Sequence, residues 1–103
     1  MKNLSQHEWS DELHATAESV ILDVRTALEV EDGKIPNSLN LDIYKGQEFI
    51  DELQKLDKNL HYFVYCKSGN RSAQACAVMQ QIGFENTYNL EGGFSQWNGE
   101  IDN

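Results

Sequence analysis

Two short apolar runs, Val20-Ile21-Leu22-Asp23-Val24 and His61-Tyr62-Phe63-Val64-Tyr65, constrain the fold more than any other feature of this chain. Both are rich in β-branched or aromatic residues and read as buried strands, the first as a parallel one. Segments of helical period surround them. Ser5-Gln6-His7-Glu8 has the form of a capping box and opens a helix with Trp9 and Leu13 on one face. Thr26 caps a brief helix through Val30, which Gly33 stops. The spacing of Phe49, Ile50, Leu53 and Leu56 predicts a helix over 47–56, and a further helix is expected over 72–82 with Gly83 as its left-handed cap. Leu39-Asn40-Leu41 and Thr87-Tyr88-Asn89-Leu90 supply shorter strands. Lys34-Ile35-Pro36-Asn37-Ser38 is a turn built on the only proline, and Gly92-Gly93 turns into a closing helical piece over 94–98. Strands alternating with helices in this way imply an α/β fold: a small, mostly parallel sheet of about five strands with helices on both faces. With 103 residues and no internal repeat, 1–103 is expected to be one domain.

The charge balance narrows the choice of partners. Seventeen acidic against eight basic residues give a formal net charge of −9, which argues against nucleic acid or an anionic membrane surface. The N-terminus carries no apolar signal region and no run is long enough to span a bilayer, so a cytoplasmic protein is expected. A reducing compartment would keep Cys66 and Cys76 as thiols. Together with the scattered His7, His14 and His61 they match no zinc spacing, and no metal is expected.

Chemistry concentrates at Tyr65-Cys66-Lys67-Ser68-Gly69-Asn70-Arg71-Ser72. A cysteine that ends a buried strand and is followed by a short loop opening a helix lies where reactive groups of parallel sheets sit, beyond the carboxyl ends of the strands. Loop amides and the free N–H groups of the first helical turn converge there and favour an anion, either the thiolate or its substrate. Cys66 is the expected nucleophile. Ser68, Gly69 and Asn70 offer backbone N–H groups, Gly69 permits the tight loop, and Asn70 tolerates unusual backbone angles. Lys67 either attracts an anionic substrate or is merely solvated. Arg71 either holds loop carbonyls or an anionic donor, or pairs with a nearby carboxylate. Cys76 shares helical spacing with Ala73, Met79 and Ile82 and reads as core.

Four segments together resemble the rhodanese family, and specifically its small single-domain sulfurtransferases. Ile21-Leu22-Asp23-Val24-Arg25-Thr26 is similar to the family's first core strand with its Asp-x-Arg signature. Gly33-Lys34-Ile35-Pro36-Asn37-Ser38-Leu39-Asn40-Leu41 is similar to its Gly-His-Ile-Pro turn, Cys66 to Arg71 to its six-residue active-site loop, and Leu90-Glu91-Gly92-Gly93-Phe94-Ser95-Gln96-Trp97 to its closing motif. Lys34 and Asn37 replace the family's usual His and Gly, in a turn where they should bear little on catalysis. Glu29 stands where some thiosulfate-specific members carry a second arginine, which weakens the case for thiosulfate as the physiological donor but not for sulfur transfer.

The resemblance implies a rhodanese-like fold and a sulfurtransferase that needs no cofactor. The Cys66 thiolate would take the outer sulfur of thiosulfate or another persulfide donor, hold it as a persulfide, and pass it to cyanide or a thiol. Asp23 and Arg25 would form a supporting pair near the site. Other readings are a sulfur carrier loaded by a persulfide-donor protein, a phosphatase or arsenate reductase, and a non-catalytic interaction module. Tyrosine-phosphatase-type loops place five residues between Cys and Arg, enough to ring a phosphate. Here there are four, Lys67, Ser68, Gly69 and Asn70, a ring suited to a single sulfur atom. Interaction modules usually lose the cysteine, which this chain keeps.

Overall fold

A computed structural model describes residues 1–103. Its centre is one five-stranded sheet in which every neighbouring pair is parallel. The strands are β1 (Lys2–Leu4), β2 (Ser19–Asp23), β3 (Leu39–Asn40), β4 (His61–Tyr65) and β5 (Asn86–Leu90), in the spatial order β1-β5-β4-β2-β3. The helices are α1 (Gln6–Ala15), α2 (Ala27–Glu31), α3 (Gln47–Gln54) and α4 (Asn70–Gln81), joined by single 3₁₀ turns at Ile43–Lys45 and Phe94–Gln96. The expected α/β architecture is therefore present, with the sheet parallel throughout. The strand over 2–4 was not foreseen, and α4 begins at Asn70 rather than at residue 72.

Strand alternation divides the core in two. On one face of β4, Tyr62 and Val64 pack with Leu22, Phe49, Leu53, Ala75, Cys76, Met79 and Phe84, beneath α3 and α4. On the other, Phe63 and Tyr65 pack with Trp9, Ile35, Tyr88 and Leu90, beneath α1 and the closing segment. Cys66 continues the alternation of β4 and falls on the α3/α4 face. The helix starts follow their sequence signals: Ser5 with Glu8 and Thr26 with Glu29 each form a complete capping box. Gly83 takes the left-handed conformation after α4, at φ +109°, and Asn37 does so in the proline turn, at φ +69°.

Trp9 anchors the α1 layer. It is fully buried, meets Phe63 and Trp97 edge-on at 5.7 and 5.6 Å between ring centres, and donates its indole N–H to the Tyr88 carbonyl at 3.2 Å. Trp9→Ala leaves a large cavity and removes the indole hydrogen bond to the Tyr88 carbonyl, and should cost about 3–5 kcal/mol. Urea unfolding should show a lower midpoint at unchanged slope. A loss below about 1 kcal/mol would mean that α1 is not anchored there.

Candidate active site

The carboxyl ends of β2, β4 and β5 deliver the site residues to one edge of the sheet. β4 ends in Tyr65 and hands over to Cys66, whose side chain is fully buried. The chain then turns so that three donors point at its sulfur. The Gly69 N–H reaches Sγ at 3.1 Å, the Ser72 N–H at 3.4 Å and the Ser72 hydroxyl at 3.4 Å. No histidine is among its hydrogen-bond partners.

The start of α4 explains why these donors are free. Gly69 occupies the N-cap position at φ +101°, a left-handed conformation that suits glycine, and has no side chain with which to cap. The N–H of Ser72, third residue of the helix, would ordinarily bond a capping oxygen. Here the sulfur takes that place. Burial pushes the Cys66 thiol up, but the Ser72 hydroxyl and the Ser72, Gly69 and Ser68 N–H groups outweigh it, and the thiol is held below its ordinary value. The leading causes of the depression are the hydrogen bonds of the loop and helix start, which the sequence placed around this thiol. The unusual backbone angle falls on Gly69, while Asn70 is an ordinary first residue of α4.

The loop's carbonyls are held away from the sulfur by the closing segment. The Phe94 N–H bonds the Cys66 carbonyl at 2.9 Å and the Ser95 N–H bonds the Lys67 carbonyl at 3.0 Å. The Asn89 amide donates to the Gly69 carbonyl at 3.2 Å. Gly93 makes the approach possible, since a Cβ there would stand 2.5 Å from the Lys67 carbonyl oxygen.

Asp23 and Arg25 form a buried ion pair at the end of β2. Arg25 Nη2 and Nε reach the Asp23 carboxylate at 2.8 and 3.0 Å, and the Arg25 backbone N–H adds a third bond to it at 3.0 Å. The Tyr65 hydroxyl donates to the same carboxylate at 2.7 Å, while Arg25 also holds the Gly33 carbonyl at 2.8 Å. Burial, foremost, pushes Tyr65 up to about 12, so it stays a donor. Phe94 lies against the Arg25 guanidinium at 4.4 Å and links this pair to the closing segment.

Arg71 turns away from the sulfur to a carboxylate. Its Nη1 and Nη2 bond the two Glu29 oxygens at 2.7 and 2.8 Å, a bidentate pair that resolves the open alternatives for this arginine. The Arg71 hydrogen bond, foremost, pulls Glu29 down to about 2. Lys67 and Ser68 are exposed at the loop tip. Cys76 is fully buried in the α3/α4 core, and desolvation pushes its thiol up to about 12. No three His, Cys, Asp or Glu side chains come together as a metal site, and no helix is long and apolar enough to cross a membrane. Ser72 is the site residue that sequence reasoning passed over, treating it only as a helix start. Its hydroxyl in the first turn after a glycine cap was the available signal.

Removing the Ser72 hydroxyl removes a donor from the sulfur. Ser72→Ala should raise the pH at which Cys66 becomes alkylated by iodoacetamide and slow alkylation severalfold at neutral pH; an unmoved profile would show that the backbone amides suffice. The Glu29–Arg71 pair has its own pH signature. A carboxylate lowered from 4.5 to about 2 stabilises the fold fully above the unfolded value and loses that contribution as pH falls through the folded one. Glu29→Gln should therefore lower the unfolding midpoint at neutral pH, and the difference from the parent protein should shrink as pH falls from about 4.5 towards about 2. A difference independent of pH would separate the pair from stability.

Comparison with known proteins gives a consistent result. Residues 5–100 match the model of the rhodanese-like domain family. A sulfurtransferase of Allochromatium vinosum is 33% identical over 97 residues, covering 94% of this chain and 88% of that protein. The thiosulfate sulfurtransferase GlpE of Pseudomonas syringae is 39% identical over 79 residues, covering 77% of this chain and 72% of its own. The crystal structure of a rhodanese-like domain protein from Staphylococcus aureus superposes with a TM-score of 0.83 at 30% identity, over 99% of this chain and 97% of that one.

Proposed function

The chain belongs to the rhodanese-like domain family, and from that premise we propose that it is a sulfurtransferase carrying a sulfane sulfur as a persulfide on Cys66. The observation that carries this reading is the set of donors on Sγ: a buried thiol at a strand end, held below its ordinary pKa by the Ser72 hydroxyl and by loop and helix N–H groups. The same donors stabilise the negative charge when it returns to Cys66 after each half-reaction.

The first half-reaction is attack of the Cys66 thiolate on the outer sulfur of a donor. With thiosulfate, the donor's S–S bond breaks, sulfite leaves with the bonding pair, and a new S–S bond forms at Cys66. In the second, an acceptor such as cyanide or a thiol attacks the outer sulfur, and Cys66 departs as a thiolate. Electrons balance without an external oxidant, and the chain's own residues supply what is needed: an activated nucleophile and a cradle for the persulfide. Both cysteines are free thiols, in keeping with a reducing, cytoplasmic setting.

The phosphatase reading fares worse. A phosphatase needs its loop arginine on the phosphate, and here both Arg71 terminal nitrogens are engaged by Glu29.

Intact mass after incubation with thiosulfate tests the proposal. The reduced protein should gain the mass of one sulfur atom, lose it again on adding cyanide, and gain nothing as Cys66→Ser. If neither thiosulfate nor a small persulfide loads the folded protein, the sulfurtransferase reading fails.

A further inference from the structure

Resting on the sulfurtransferase reading, we infer that Asn3 and Asn89 are positioning residues for sulfur transfer. They form a relay from the edge strand β1 through the Asn89 amide to Gly69, and so hold the Gly69 N–H on the Cys66 sulfur.

Register brings the two asparagines together. Asn3 on β1 pairs with Asn89 on β5. Its neighbours on the strand turn to the α1 face, where Lys2 Nζ lies 6.0 Å from the centre of the Tyr88 ring and Leu4 packs against the Trp9 cluster. Strand alternation sends Asn3 to the opposite face, the one that carries Cys66. There the Asn89 Nδ2 donates to Asn3 Oδ1 at 2.9 Å and to the Gly69 carbonyl at 3.2 Å. That carbonyl sets the orientation of both amides. It can only accept, so Asn89 must turn its nitrogen towards it, and Asn3 must then offer its oxygen.

Two observations separate this relay from ordinary packing. The Gly69 carbonyl already accepts from the Ala73 N–H at 3.2 Å, as the first carbonyl of α4. The Asn89 bond is therefore not needed to satisfy it, and adds a second direction of restraint. Asn89 is also buried with its Oδ1 unpartnered. A buried oxygen without a donor offsets much of what the Nδ2 bonds contribute, so stability alone does not account for an asparagine at this position.

Gly69 is the residue that needs an external hold. It sits at φ +101° with no side chain to fix its torsions, and its N–H makes the shortest hydrogen bond to Sγ, at 3.1 Å. With its carbonyl held from two sides, Gly69 cannot turn as a unit and its N–H stays on the sulfur. Asn3 acts one step further out. Without its oxygen, the Asn89 amide keeps one acceptor of two and can turn away from the loop.

The pH profile of Cys66 alkylation by iodoacetamide, with Cys66→Ser as the blank, tests the relay. Asn3 is exposed, so its replacement leaves the core intact. Asn3→Ala should raise the alkylation midpoint by about half a pH unit. Alkylation at neutral pH and loading from thiosulfate should both slow about twofold, because the scarcer thiolate is individually more nucleophilic. Asn3→Asp, which keeps an acceptor oxygen, should restore most of the rate. Asn89→Ala should move the profile further in the same direction, and adding Asn3→Ala to it should change nothing more. Lys2→Ala, on the other face of the same strand, should leave the profile in place. An unmoved midpoint in Asn3→Ala and Asn89→Ala, an equal shift in Lys2→Ala, or an Asn3→Asp protein no better than Asn3→Ala overturns the relay, whatever the melting temperatures. Alkylation needs no sulfur donor, so a wild-type protein that neither thiosulfate nor a small persulfide loads overturns the sulfurtransferase reading instead.

Discussion

A loop can aim its amides at one sulfur atom only if its carbonyls are held facing away from it, and in this protein that task falls to a segment some thirty residues downstream. The bonds from the Phe94 and Ser95 N–H groups to the Cys66 and Lys67 carbonyls, with the Asn89 amide on Gly69, fix the peptide planes. Without them each peptide unit could rotate and offer the thiolate an oxygen instead of a proton. The close approach they require explains Gly93, because any side chain there would collide with the loop backbone. Donors fixed in advance need no reorganisation when charge develops on the sulfur, and this is the main source of catalytic power in such sites.

The Asp23–Arg25 pair supports this arrangement from the other side. Burying two charges is costly, and replacing such a pair by apolar residues is often harmless to stability. Its value here is geometric. The Asp23 carboxylate joins the ends of β2 and β4 through Arg25 and Tyr65, and the guanidinium reaches on to Gly33 and lies against Phe94. One ion pair thus ties together three of the four segments that resemble the rhodanese family and sits next to the fourth. Those residues are far apart in the chain because they belong to a single scaffold around the Cys66 loop.

Much of that scaffold was legible in the sequence, for local reasons. β4 and the two capping boxes depend on residues within a few positions of one another, and their bounds or starts follow the pattern closely. β1 was not legible: Lys2-Asn3-Leu4 is a three-residue edge strand with two exposed side chains, so it lacks the apolar run that marks a buried strand. The partner of Arg71 was equally hidden, since Glu29 lies 42 positions away and only the fold brings the two together. The start of α4 was placed late because Gly69 caps it by conformation and not by side chain, which leaves no polar capping signature.

Cys66 and Cys76 show why residue type and burial alone do not reveal reactivity. Both are fully buried and both face the same α3/α4 core. Burial raises both thiols, and for Cys76 it prevails over the weak opposition of the Thr87 hydroxyl and the N-terminal charge, taking the thiol to about 12. For Cys66 the direction is reversed by four donors that the end of a strand and the start of a helix supply together. A helix interior cannot do the same, because its amides are already spent on its own carbonyls. A thiol lowered in this way therefore sits where regular structure breaks, and it requires that the Cys66, Lys67 and Gly69 carbonyls of the loop be partnered elsewhere. The closing segment meets that requirement for Cys66 and Lys67, and the Asp23–Arg25 pair steadies the segment through the contact of Arg25 with Phe94.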